Sequence, residues 1–295
     1  MNPGTNPFAR FAFIGFGEAG GILGSALAAQ SANVSMYDIR LEALREKAQS
    51  AHVRVADTLA DAIKGAELIV SAVTAQADIE VAESVSRCVT SDQTYLDINS
   101  VSPATKRHAQ SCIEAAGARY VEAAVMAPVP PYGLAVPMLL GGAHAAATAE
   151  RLNACGFKTR AVSPGIGVAS AAKMCRSVMI KGIEALTVEC LRAARQHGAE
   201  AIVMASLGET FSKMRNDTDL PGYLISRVAE HGRRRAAEMR EVAQTLREAG
   251  MTPFMSEACA RLQDSIADEM QNAGIDYCSL TDPFDWHQFF QQLPH

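Results

Sequence analysis

Apolar and polar positions change rhythm once along the chain, near residue 164. Before that point, short apolar runs alternate with stretches of helical spacing. Phe11–Phe16, Val34–Tyr37, Val53–Ala56, Glu67–Val73, Thr94–Ile98, Arg119–Ala124, Val136–Leu140 and Lys158–Val162 read as strands, and Glu67–Val73 is β-branched enough for the centre of a parallel sheet. Helical patterning fills the gaps at Ile22–Ala29, Leu41–Ala51, a short segment capped by Asp57-Thr58, Ala77–Val89, a segment opening on Ser102-Pro103, and a stretch near His144–Ala154. After Pro164 the pattern is helical almost throughout. Val168–His197 holds no proline, opens after Gly165-Ile166-Gly167 and closes on a basic turn and Gly198, so it predicts a single helix of about 45 Å. Its apolar residues, among them Met174, Val178, Met179, Ile183, Leu186, Val188 and Leu191, lie nearly all round, which predicts burial on several sides. Beyond it, Ala199–Met214, Tyr223–Gly232, Arg233–Ala249 and Met255–Ala273 are helical, separated by Asn216-Asp217, Pro221-Gly222, Gly250 and Pro253.

The first strand runs into Gly15-Phe16-Gly17-Glu18-Ala19-Gly20 and a helix follows. In such a turn the first glycine allows the bend, the second lets a pyrophosphate approach the backbone, and the third lets helix pack on strand. The second strand ends at Asp38, eighteen residues past Gly20, where a carboxylate can bond both ribose hydroxyls of an adenosine. Strand, turn, helix and acid together predict a dinucleotide site built from Gly15, Phe16, Gly17, Glu18, Ala19, Gly20 and Asp38. NAD is the expected cofactor, with NADP as the alternative because Arg40 could hold a 2′-phosphate. Glu18 sits oddly beside a pyrophosphate unless its side chain points away. Val73 and Thr74 stand at the carboxyl end of the central strand, the edge at which open α/β sheets bind ligands. The fold class is therefore α/β, with a Rossmann-type doubly wound sheet over residues 1–163 and an all-helical domain over 164–295 that includes the interdomain helix 168–197.

Charges on a helix buried on several sides are costly. Lys173, Arg176, Lys181 and Glu184 recur at spacings of three to five along roughly one face, with Ser177 among them, so that face needs an occupant. Lys173 reads either as a proton carrier or as a lysine that snorkels, and Arg176 either holds an anionic substrate or pairs with a carboxylate. Met126, Ala127 and Pro128 open a loop, Val125–Gly133, too proline-rich for regular structure and too apolar for an ordinary surface loop. Arg233-Arg234-Arg235 is a solvated face or reaches a ligand, and the aromatic run Asp282–Phe290 demands burial in a core or a subunit interface.

The chain has 295 residues and a net charge of -5, which gives no basic field for nucleic acid or an anionic membrane. No apolar run reaches the roughly 18 residues of a membrane span, and Met1–Ala9 lacks the pattern of a signal peptide, so a cytoplasmic protein is expected. Seven dispersed cysteines, never spaced C-x-x-C, predict reduced thiols and no metal site.

With these segments placed, the chain resembles the β-hydroxyacid dehydrogenase superfamily, which includes 3-hydroxyisobutyrate dehydrogenase and 6-phosphogluconate dehydrogenase. Phe13–Gly20 matches its opening cofactor motif, Asp97-Ile98-Asn99-Ser100-Val101-Ser102-Pro103 its stretch beside the nicotinamide ribose, and Gly167–Lys173 the segment ending in its catalytic lysine. The likeness covers nearly the whole chain and is greatest to the branch with an uncharacterised second domain. It implies that Lys173 is the catalytic residue, that Ser100 serves both cofactor and substrate, and that Arg176, Ser177 and Arg234 face the substrate. Two departures stand out. The family's serine-glycine-glycine substrate loop falls on Met126-Ala127-Pro128, and its asparagine four residues past the lysine is Ser177. The expected activity is hydride transfer between nicotinamide and a hydroxyl or carbonyl carbon of a small, hydroxy-acid-like molecule. The alternatives are imine reduction on the same scaffold and a dinucleotide-binding sensor without turnover. A homodimer through the second domain is expected as well, since a long helix with apolar residues all round needs more cover than about 130 residues supply.

Overall fold

The computed structural model describes residues 7–280 and 283–294. The N-terminal reading of residues 1–6 and the first residue of the aromatic run, Asp282, fall outside the described residues. Eight strands form one sheet: β1 (Arg10–Ile14), β2 (Asn33–Tyr37), β3 (Arg54–Val55), β4 (Leu68–Ser71), β5 (Thr94–Asp97), β6 (Arg119–Val125), β7 (Pro137–Gly141) and β8 (Lys158–Ser163). Their spatial order is β3-β2-β1-β4-β5-β6-β7-β8. All neighbours run parallel except β6 and β7, which are antiparallel and pair Glu122 with Gly141. Between the strands lie α1 (Glu18–Ala29), α2 (Leu41–Ser50), α3 (Leu59–Ile63), α4 (Asp78–Ser86), α5 (Pro103–Ala115) and α6 (Ala145–Ala154).

Strand periodicity explains why the sheet carries helices on both faces. Phe11 and Phe13 point into a core completed by Leu23 and Leu27 of α1, Ala48 of α2 and Leu152 of α6. Ala12 and Ile14, one residue out of phase, enter a second core with Ile63 of α3, Val85 of α4 and Ile113 of α5. The winding changes direction between β1 and β4, so their carboxyl ends border a crevice at a topological switch point. The caps read from sequence are in place. Thr58 accepts from Asp61 N–H, and Ser102 Oγ accepts from Thr105 N–H with Pro103 at the first helical position.

The helical part begins with α7 (Val168–Gln196), followed by α8 (Glu200–Arg215), α9 (Leu220–Glu248), α10 (Phe254–Ala273) and α11 (Trp286–Gln292). The chain divides into two compact units, Met1–Val178 and Met179–His295, so the first turns of α7 belong with the sheet. Two expectations are corrected. Residues 220–248 form one helix, not two broken at Gly232. A Cβ at Gly232 would lie 2.9 Å from the Gln263 carbonyl oxygen, so this glycine permits close approach of α10 to α9 and does not end a helix. Pro221 likewise starts α9, with Asp219 as its cap accepting from Gly222 N–H. Second, α7 is covered only in part among the described residues: Ala169, Ser170, Ala193 and Ala194 are buried, whereas Val178, Met179, Ile183, Leu186 and Val188 are exposed, Val178 to 73%. The aromatic run does find cover: Phe289 is buried with Ala229, Met270 and Leu293, and Phe284 and Tyr277 stack against that cluster. Among the described residues, no helix is long and apolar enough to cross a membrane.

Candidate active site

The glycine turn after β1 is shaped by steric necessity. Gly15 has φ +89°, and a Cβ there would lie 2.3 Å from the Ala72 carbonyl oxygen, while at Gly20 it would lie 2.2 Å from the Gly15 carbonyl oxygen. Gly17 differs, since the nearest atom to an added Cβ is Arg40 Nη2 at 3.7 Å. The first and third glycines are demanded by packing, and the second keeps clear the space in front of the α1 N-terminus. That is the arrangement a pyrophosphate needs, so the residues fit a dinucleotide. Glu18 is exposed at the start of α1, and Ala19 packs on the core behind it.

Asp38 is 8% exposed at the end of β2. One of its oxygens accepts from Phe16 N–H at 2.8 Å and the other from Arg40 N–H at 2.8 Å, so it ties the glycine turn to the loop that would cradle a ribose. The Arg40 guanidinium lies 3.7 Å from the same carboxylate and turns back toward Gly17. Ile39 between them is 91% exposed, an apolar surface where an adenine ring could rest. An isolated apolar residue after a strand, such as Ile39, carries no signal of its own in the sequence.

Across the crevice, Val73 N–H donates to Asn99 Oδ1 at 2.7 Å, and Thr74 is exposed beside it. Asn99 Nδ2 in turn donates to Asp78 Oδ1 at 2.5 Å and Ser71 Oγ at 2.9 Å, and its N–H to Asp97 Oδ1 at 3.0 Å. Asp97 also accepts from Tyr120 O–H at 2.7 Å and is ion-paired with the fully buried Lys106 at 2.7 Å. Burial, and then the charge of Asp97, push the Asp78 carboxyl up to about 6. This network joins the ends of β4 and β5 and fixes the backbone that leads to Ser100. Composition and spacing alone single out none of Asp78, Asp97, Asn99 and Lys106. The polar pattern of Asp97-Ile98-Asn99 at a strand end was the available signal.

Lys173 belongs to the second turn of α7. The entry of that helix is fixed by Glu122, fully buried on β6, whose carboxylate accepts from the N–H groups of Gly167 at 2.7 Å, Ala169 at 3.2 Å and Ser170 at 3.4 Å. An anion on the first N–H groups of a helix suits both their unsatisfied donors and the helix dipole. With the helix so anchored, Lys173 Nζ donates to Ser100 Oγ at 2.5 Å, which unites two residues 73 positions apart. Ser177 donates to the Lys173 carbonyl at 2.9 Å, so as placed its hydroxyl offers only lone pairs. Arg176 is exposed on the same helix. Met126 and Ala127 are half-buried and Pro128 is exposed in the loop after β6, with Met126 N–H bonded to the Pro137 carbonyl at 2.9 Å. Arg234 lies on α9 in the second unit, ion-paired with Glu238. The glycine turn, Asp38 and the crevice at the switch point define a dehydrogenase-like NAD(P)-binding domain.

Comparison with known proteins agrees. Residues 10–150 match the NAD binding domain of 6-phosphogluconate dehydrogenase, and residues 194–266 match a domain of unknown function, DUF1932. The chain belongs to the β-hydroxyacid dehydrogenase superfamily, in the branch that joins these two domains. It is 37% identical to a conserved hypothetical protein from Sinorhizobium meliloti 1021, whose crystal structure superposes with a TM-score of 0.60 over 92% of this chain and 93% of that one. It is 33% identical to the conserved protein MTH1747, of unknown function and described as structurally similar to 3-hydroxyacid dehydrogenases, with a TM-score of 0.58 over 88% and 97%. An imine reductase from Myxococcus stipitatus in complex with NADP+ shares the fold at 19% identity, with a TM-score of 0.72 over 88% and 94%.

Proposed function

We propose that the protein moves a hydride between NAD and a carbon bearing a hydroxyl or carbonyl in a small, hydroxy-acid-like molecule. The observation that carries this reading is the Lys173 Nζ to Ser100 Oγ bond of 2.5 Å. A dinucleotide held by the Gly15–Gly20 turn and Asp38 would supply hydride-transfer chemistry at its nicotinamide. When an alcohol is oxidised, the C–H electron pair leaves with the hydride and the hydroxyl proton must be taken up, and a neutral Lys173 amine can take it; in the reverse direction the ammonium returns it. Ser100 orients that amine and offers a hydrogen bond to the reacting oxygen. Arg176 and Ser177 are assigned to holding the substrate, and the exposure of Arg176 and the position of Ser177 one turn past Lys173 support that assignment.

A second reading is reduction of an imine. It is favoured by Met126-Ala127-Pro128, which offers no side-chain hydroxyl to a substrate carboxylate, and by the shared fold of an imine reductase. A screen of hydroxy acids, sugar acids and cyclic imines, followed by nicotinamide absorbance, separates the two. Turnover of hydroxy acids or their keto forms supports the first reading, turnover of imines alone replaces it with the second, and cofactor binding without turnover of any class contradicts both. Seven free thiols further support a place in the reducing cytoplasm.

A further inference from the structure

Outside the crevice, helices α4 and α5 pack side by side through Ala82, Val85, Ala109 and Ile113. On their outer surface three potential ligands converge. Glu83 projects from α4, and His108 and Cys112, one turn apart, from α5. A carboxylate oxygen, an imidazole nitrogen and the thiol sulfur all lie within 4.8 Å of one another. Ligands on a tetrahedral metal stand somewhat closer than this, at roughly 3 to 4 Å for bonds of about 2.0–2.3 Å, a distance side-chain rotation can close.

We propose that Glu83, His108 and Cys112 bind a divalent transition-metal ion, zinc by the chemistry of the donors, and that the ion staples α4 to α5. A thiolate and an imidazole select against magnesium and calcium, which take oxygen ligands, and favour zinc among the abundant divalent ions. Three protein ligands at an exposed position leave the fourth to water, so the site is open. The surroundings favour a cation as well. The Glu83 carboxylate places a negative charge beside the Cys112 sulfur and the His108 nitrogen. Arg87, one turn beyond Glu83, is turned to Ser84 Oγ at 3.2 Å. The helices so joined also bound the nucleotide crevice. Asp78, the first residue of α4, accepts from Asn99, and α5 starts three residues after Ser100. A metal bridge one to two turns away holds those two helix starts in register. Spacing alone did not suggest the site, because His108-x-x-x-Cys112 is a two-ligand half and its third member comes from another helix.

Titration of the full-length, metal-free protein with Co2+ tests the proposal. One equivalent should produce a thiolate-to-cobalt charge-transfer band that Zn2+ displaces. Cys112→Ser should abolish the band, and His108→Ala should weaken Co2+ binding at least about tenfold, the lower end of the losses seen when even outer-shell partners are removed. Zn2+ should raise the melting temperature of the parent protein and leave that of Cys112→Ser unmoved. A band that survives in Cys112→Ser, which would assign it to another of the seven cysteines, overturns the proposal, as does a parent protein that takes up no Co2+ at micromolar concentration.

Discussion

Two of the buried carboxylates, Glu122 and Asp38, shape the site by accepting pairs or triplets of backbone N–H groups. Glu122 receives three of them at the start of α7 and thereby sets where Lys173 emerges. Removing its carboxylate leaves helix-terminal donors buried and unpaired, so Glu122→Ala should lose about 1–3 kcal/mol of unfolding free energy, read as a lower urea midpoint at unchanged slope. A midpoint equal to that of the parent would mean that water replaces the carboxylate. Asp38 binds Phe16 and Arg40 through one oxygen each and keeps further lone pairs toward the ribose. A 2′-phosphate would meet this anion, so NAD should bind more tightly than NADP. The competing cation is Arg40, turned toward Gly17. Dissociation constants for the two nucleotides decide the matter, and tighter NADP binding would transfer the dominant role to Arg40.

At the scale of elements, the sheet was legible in the sequence for a physical reason. Its strands are buried on both faces, and Phe11 to Ile14 must be apolar at every position, a pattern that solvent-exposed elements do not impose. The cofactor turn was legible because Gly15 and Gly20 admit no side chain. The helical half was harder. Gly232 reads as a helix stop, yet it stands inside α9 because α10 leaves it no room for a Cβ, a constraint that exists only once the two helices are packed. Glu122 and Lys106 were invisible for a similar reason, since their partners are 45 and 9 residues away and neither belongs to a periodic pattern. The two kinds of helical glycine make a paired prediction. Gly208 on α8 has nothing within 4 Å of an added Cβ, so Gly208→Ala should gain about 0.5–1 kcal/mol from helix propensity. Gly232→Ala has the same gain in propensity, but the clash with the Gln263 carbonyl opposes it with an overpacking cost of about 1–3 kcal/mol, so the net effect should be a loss. Thermal denaturation of both variants checks the opposite signs, and stabilisation by both would mean that α9 and α10 are less closely packed than described.

For the whole molecule, Val178, Met179, Ile183, Leu186 and Val188 of α7 and Ile202, Met204 and Phe211 of α8 are exposed apolar side chains, and such residues mark interaction surfaces where they gather. They support a homodimer whose interface uses the second domain. Light scattering at micromolar concentration should give twice the 31.4 kDa chain mass, and a clean monomer would contradict it. In the proposed chemistry, Lys173 carries the proton that hydride transfer leaves behind. Lys173→Met keeps the length and the apolar stem of the side chain but removes the amine. With a substrate from the screen in hand, the variant should bind NAD as the parent does, keep its melting temperature, and lose at least about a hundredfold in kcat, the lower end of the contribution of general acid–base catalysis. Turnover near that of the parent would show that Lys173 only buttresses Ser100, and would contradict the mechanism.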